Sequence, residues 1–367
     1  MAGRKPANSG FDYMILVPVV LLMGLGLVAV YSASSQLALD RMGDGYFYLK
    51  RQALFCLLGL AVMIAAKSVP YTLYAKLAYP LLVISSLLLI ALLVPGLGHK
   101  AGGACRWLRF GSYSFQPSEL AKLSLAVYLA YSMSKKGSDM ELFSKGLLPH
   151  LLVAGAFMVL MVLQPDFGTA VIVGFWVLVV LFVGGVKFRH LFSVCVLCSP
   201  LVLWLVGRSN YRSGRWFSFI NPWDDPRGIG FQIIHSFLAF GSGGIFGAGL
   251  GNSKQKLFFL PEPHTDFVLS IAAEEIGFVG LICIVFLFAL LIARGIKVAL
   301  NAGDLYSTYL AFGITCLIGL QVLVNMGVVM GLLPTKGLTL PLISYGGSSM
   351  MINLLSIGML LSISSRS

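Results

Sequence analysis

Apolar residues run along this chain in long unbroken blocks, and the polar residues gather between them. A helix needs about 20 mainly apolar residues to cross a bilayer. Ten blocks approach that length: 11–31, 50–66, 71–94, 117–133, 147–163, 167–186, 191–206, 267–293, 306–333 and 340–362. The pattern predicts an all-α polytopic membrane protein of about ten transmembrane helices, one domain over residues 1–367. A long polar stretch, 207–265, separates the seventh block from the eighth. Within it, residues 231–240 are apolar but too short to cross, and read as a re-entrant or interfacial helix lining a cavity. The glycines between Gly241 and Gly251 permit tight backbone turns. No Gly-Lys-Ser/Thr follows them, so they are read as structural and not as a nucleotide phosphate loop.

Composition agrees with the pattern. Of 367 residues, 58% are hydrophobic and 11% charged, and the mean hydropathy is +0.89. A soluble domain carries about 25% charged residues. The net charge of +12 is explained first by Lys and Arg beside anionic lipid. No soluble basic domain is present to bind nucleic acid. Of six cysteines, only Cys105 lies in a loop, so no disulfide framework follows. Cys195 and Cys198 have redox-motif spacing but sit in an apolar block, where packing is the expected role. Basic residues mark every loop on the side that holds the N-terminus, which favours cytoplasmic N- and C-termini. The opposite, outer loops are basic as well, through Arg41, Arg51, Arg106, Arg109, Arg208, Arg212, Arg215 and Lys336. An anionic ligand on the outer side would account for them.

Four places combine groups with chemistry. In Arg106 to Lys122, Pro117 suits a first helical turn, and Glu119 and Lys122 share a face three residues apart. A local ion pair is one reading. In the other, Arg106 and Lys122 hold phosphate while Glu119 orients them or binds a metal. Asp166, in the turn before the sixth block, reads as an N-cap. Asp266 opens the eighth block, where it serves either as a cap or as a general base tuned by burial and nearby cations. Glu274 lies about 12 Å further along the helix axis; with Glu275 it reads as pairing with Arg or Lys of neighbouring helices. Last come Asn325, Lys336 between Pro334 and Pro341, and the small polar patch Ser344, Ser348 and Ser349 with Gly346 and Gly347, read as close helix packing.

Six segments occur together and in order: QPSELAK, QPDFGTA, NPWDDPRGIGFQ, GLGNSKQK, LPEPHTDFVLSIAAEEIGFVG and LPTKGLTLPLISYGGSS, between Gln116 and Ser349. The chain thereby resembles the SEDS family of shape, elongation, division and sporulation proteins. The GLGNSKQK and LPTKGLTLP segments look most like the division members, with the elongation and sporulation members next. The resemblance implies a peptidoglycan glycosyltransferase that polymerises lipid II at the outer face of the bacterial cytoplasmic membrane, at the division septum. It implies a class B penicillin-binding protein and other division proteins as partners. It also implies that Asp266 is the essential aspartate, and that Arg106, Glu119 and Lys122 are functional. Arg215, Lys256, His264, Lys336 and Ser344 complete the candidate substrate contacts. Glycosyl transfer from a diphosphate needs a base, and cationic groups or a divalent cation (Mg2+ or Mn2+) to absorb charge on the leaving group. No organic cofactor is expected. A lipid II flippase or a non-catalytic division scaffold are the rival readings. The flippase predicts binding groups near the bilayer midplane and often an internal repeat; no repeat is visible.

Overall fold

In a computed structural model of the protein, residues 10–101, 104–111, 113–256 and 264–366 are described. Their α-helices are α1 (Tyr13–Met42), α2 (Phe47–Ser68), α3 (Tyr71–Lys76), α4 (Ala78–Ala91), α5 (Pro117–Lys136), α6 (Leu148–Leu163), α7 (Phe167–Val183), α8 (Phe188–Gly207), α9 (Asn210–Ile220), α10 (Phe231–Gly243), α11 (Val268–Asn301), α12 (Leu305–Val329) and α13 (Gly347–Ser364). Three strands, β1 (Gly98–Ala101), β2 (Ala104–Phe110) and β3 (Tyr113–Phe115), form an antiparallel sheet in that order.

Every apolar block coincides with a helix. Among the described residues, seven helical segments are long and apolar enough to cross a membrane. The blocks misjudge several ends. Helix α1 continues to Met42. The third block is interrupted at Leu77, between α3 and α4. The last block enters its helix only at Gly347, because residues 340–346 form a non-helical approach. The sheet lies where a plain loop was expected. Its strands are short, and a few alternating residues carry little signal beside the apolar blocks.

Two buried cores hold the bundle. One joins α1, α2, α11, α12 and α13; the other is built from α4 to α7. Helices α5 and α12 pack together and close the seam between them. Helix α8 buries Leu191 alone and so stands off the bundle. Cys195 and Cys198 face outward from it, so this chain does not pack them as expected.

Helix α10 forms where the short apolar segment was read. The glycine stretch after it turns through positive φ at Gly244, Gly247, Gly249 and Gly251. It then fills a break in α11. At Gly277 the backbone adopts φ 66° and ψ −168°, a conformation open to glycine. The loop repairs the interrupted ladder: Ala248 and Gly249 donate to the Glu274 and Glu275 carbonyls at 2.9 and 3.1 Å. Phe278 and Val279 donate to Gly244 and Ile245 at 3.0 and 3.1 Å. Sequence periodicity misses this break, because the apolar pattern runs through Gly277 unchanged.

Candidate active site

One end of the bundle gathers the starts of α5, α7 and α11 and the approach to α13. Arg106 reaches it from β2. The β1–β2 register shifts there, with Lys100 facing Cys105 and His99 facing Trp107, so Arg106 is the extra residue of an irregularity that re-aims its side chain. Its Nη2 donates to the Pro165 carbonyl at 2.9 Å, and its Nε lies 3.6 Å from Asp166 Oδ1. The Nε is buried and has no hydrogen-bond acceptor among the described residues.

Asp166 occupies the N-cap position of α7, but its side chain makes no capping bond. The expected cap gives way to an ion pair with Arg106. Pro117 opens α5, and Ser348 of α13 fixes that start by accepting from Gln116 N at 3.1 Å and donating to Ser114 O at 3.2 Å. One turn into α5, Lys122 Nζ meets Glu119 Oε1 at 2.7 Å, with both side chains buried. The local-pair reading of these two is therefore what their contacts show.

Lys336 enters from the approach to α13. Its methylenes lie across Gly168, where any Cβ would collide with them. Its Nζ donates to Thr169 Oγ1 at 3.2 Å. Burial pushes the Lys336 amine down to about 7, against an opposing pull from Asp166; Lys122 and Arg106 push it further down, and Glu119 raises it slightly.

The next residue, Gly337, brings Asp266 to the same place. The Asp266 carboxylate rests against Gly337, and a side chain there would overlap it. Asn325 of α12 ties the two segments together, donating to the Asp266 carbonyl at 3.2 Å and the Leu338 carbonyl at 2.5 Å. The N-cap of α11 is Phe267, so Asp266 stands one residue outside the helix. Arg106, Glu119, Lys122, Lys336 and Asp266 therefore converge, with Asp166, Thr169 and Asn325 as supports.

The remaining candidates lie apart from this cluster. Arg215 of α9 lines a recess of about 320 Å³ with Arg227, Gln232 and Thr335, adjoining Lys336 through Thr335. Lys256 is drawn away: its Nζ sits 3.1 Å from Glu275 Oε1, 3.2 Å from Ser32 Oγ and 2.6 Å from Gly251 O. Glu274 accepts from the Lys254 and Gln255 amides at 3.0 and 3.3 Å and from Ser253 Oγ. Of the two glutamates only Glu275 meets a base, Lys256 from the loop after α10, and it also accepts from Ser32 Oγ of α1; Glu274 has backbone amides and a serine hydroxyl in place of the expected Arg or Lys. His264 is buried between Tyr48 and Tyr345. Burial, and Arg41 to a lesser degree, lower its pKa to about 4, so the ring is neutral. Ser344 turns inward and accepts from Leu340 N at 2.8 Å. Glu262 lies outside the described residues.

The described residues hold no group of three or more His, Cys, Asp or Glu that would cage a metal ion. Both acids nearest the cations, Glu119 and Asp166, already face a base.

Residues 12–367 match the FtsW/RodA/SpoVE family, described as cell cycle proteins. The chain belongs to that family. Over 356 residues it is 47% identical to the probable peptidoglycan glycosyltransferase FtsW of Geobacter metallireducens, covering 97% of this chain and 95% of that one. It is 42% identical to stage V sporulation protein E of Bacillus subtilis, covering 96% of each. Among solved structures, RodA of Thermus thermophilus superposes with a TM-score of 0.72 at 32% identity, covering 98% of both chains. A chain of a peptidoglycan synthase complex that coordinates polymerization and crosslinking superposes with a TM-score of 0.80 at 36% identity, covering 97% of this chain and 98% of its own. Membership of the FtsW/RodA/SpoVE family and the apolar helices make this a multi-pass membrane protein.

Proposed function

We propose that this chain is a peptidoglycan glycosyltransferase that polymerises lipid II into glycan strands during cell division, with Asp266 as its base. The observation that carries the reading is the meeting of Asp266, through Gly337, with the cationic cluster around Lys336. Asp266 accepts the proton of the acceptor 4-hydroxyl. The freed oxygen pair attacks the donor's anomeric carbon, and the bond to diphosphate breaks with its electrons leaving on phosphate. A single displacement inverts that carbon. Cations already in place stabilise the departing charge without reorganising. Arg106, Lys122 and Lys336 have this role, with Arg215 flanking. Lys256 is left out of the proposal because Glu275, Ser32 and Gly251 already hold its ammonium. A divalent cation belongs to the proposal only as one carried in on the diphosphate.

The relatives' names and the synthase-complex neighbour support this activity and a transpeptidase partner of the class B penicillin-binding type. Ten crossings, cytoplasmic termini, an outward-facing site and a septal location complete the proposal. The test is reconstitution of the purified chain and its partner with labelled lipid II. Asp266→Asn is expected to lower polymer formation by about 10²–10⁴-fold while leaving the thermal transition in place. Normal polymer from that variant would overturn the assignment. Translocation of lipid II without polymer would favour a transporter, and neither activity a scaffold.

A further inference from the structure

The charged cluster is unevenly paired. Among the described residues it has three basic side chains, Arg106, Lys122 and Lys336, and three acids, Glu119, Asp166 and Asp266. Glu119 is taken by Lys122, and Asp166 faces Arg106. Lys336 is left with a neutral partner, Thr169 Oγ1, and no described carboxylate within ion-pair distance. The groups around it are Asp166 from the start of α7, Glu119 and Lys122 from α5, and Arg106 from β2. Asp266 lies against the following residue. A partly buried ammonium with no acid paired to it is costly, and a Lys so placed sheds its proton more readily. Beside it, Arg106 Nε is a buried donor with no described acceptor. Both groups are complementary to one anion.

We propose that Lys336 is the residue that receives the substrate diphosphate, and that it takes up a proton as the diphosphate binds. Arg106 and Lys122 add to the positive field on the departing phosphate from within their own pairs. The proposal rests on the glycosyltransferase reading for the identity of the anion. The ligand itself does not supply the proton linkage. The diphosphate of lipid II is esterified at both ends, so each phosphate carries one fixed charge near neutral pH.

The sign follows from the two states. Below about pH 7 free Lys336 is already charged, so affinity is flat. Above that value each binding event must bring in a proton, and Kd rises by up to about tenfold per pH unit. Arg stays charged at every accessible pH, so Lys336→Arg removes the linkage but keeps the charge.

The experiment measures equilibrium binding of fluorescent lipid II to the full chain in detergent between pH 6 and 9, alongside polymer formation with the partner. The wild type is expected to weaken above pH 7. Lys336→Arg is expected to bind with a flat profile, and Lys336→Met to bind at least about tenfold more weakly at pH 6.5 with a flat profile. A wild-type affinity independent of pH, or a Lys336→Met profile that matches the wild type, would sink the inference. These readouts are separate from polymer. Linked binding without polymer in any condition would overturn the glycosyltransferase reading alone, and polymer with unlinked binding would overturn this inference alone.

Discussion

Two lysines on the loops of this protein have opposite surroundings. Lys256 is enclosed by Glu275, Ser32 and the Gly251 carbonyl. Lys336 has Thr169, and around it two other cations and the acids those cations already pair with. Both are basic residues on the same loop-bearing end of a membrane-type bundle, and in the sequence they look alike. The first closes a network that ties the glycine loop to α1 and α11. The second leaves a charge unanswered. A lysine whose needs are met inside the chain serves the fold; one whose needs are unmet is available to a ligand.

The sharpest way to break this contrast is at Glu275. Glu275→Ala leaves Lys256 charged and enclosed, the situation of Lys336 made by mutation. Removing one partner of a buried pair costs about 3–5 kcal/mol. The expected outcome is a large loss of thermal stability in detergent, mostly regained when Lys256→Met is added. A stable Glu275→Ala single variant would show that the enclosure of Lys256 is not structural.

The reverse change at Lys336 should be smaller and opposite in sign. Its folded-state pKa is lowered, to about 7. Between that value and the unfolded lysine value, the unfolded chain binds more protons, so wild-type stability rises with pH across that window. Below pH 7 the folded protein bears a partly buried charge with no acid paired to it. Lys336→Met is therefore expected to stabilise the ligand-free protein by about 1–3 kcal/mol at pH 6.5, with the difference shrinking towards pH 9. Thermal unfolding of both proteins at the two pH values checks this.

The smallest effect is expected at Gly168, which gives Lys336 room to lie flat. Gly168→Ala pushes the lysine stem aside with a strain of about 1 kcal/mol. Lipid II binding should weaken by about threefold to tenfold, with little change in the stability of the Lys256 network.

The helices were legible because an apolar block of crossing length has almost nowhere to go but a bilayer. The charged residues of the site stood out too, since acids and bases beside such blocks are expensive. Their division of labour was not legible. Glu119 and Lys122 could be paired from spacing alone, because three residues on a helix fixes the neighbour. Nothing in sequence spacing joins Asp166 to Arg106, Lys256 to Glu275 or Gly168 to Lys336. Those contacts arise only when α5, α7, α11 and the approach to α13 are brought together. Arg106 carries no such local signal, because the β1–β2 register skips it and that irregularity breaks the alternation which would otherwise place it.

The break at Gly277 has a mechanical consequence. An unbroken helix transmits bending and twist along its own ladder, so a push on one end is felt at the other. In α11 the link between the short segment beginning near Asp266 and the long remainder runs instead through the inserted glycine loop. The segment that aims the carboxylate is thereby insulated from lateral forces on the longer segment. It answers to α10 and the glycine loop, so a force applied there would reach the reacting centre more directly than one applied along α11 itself.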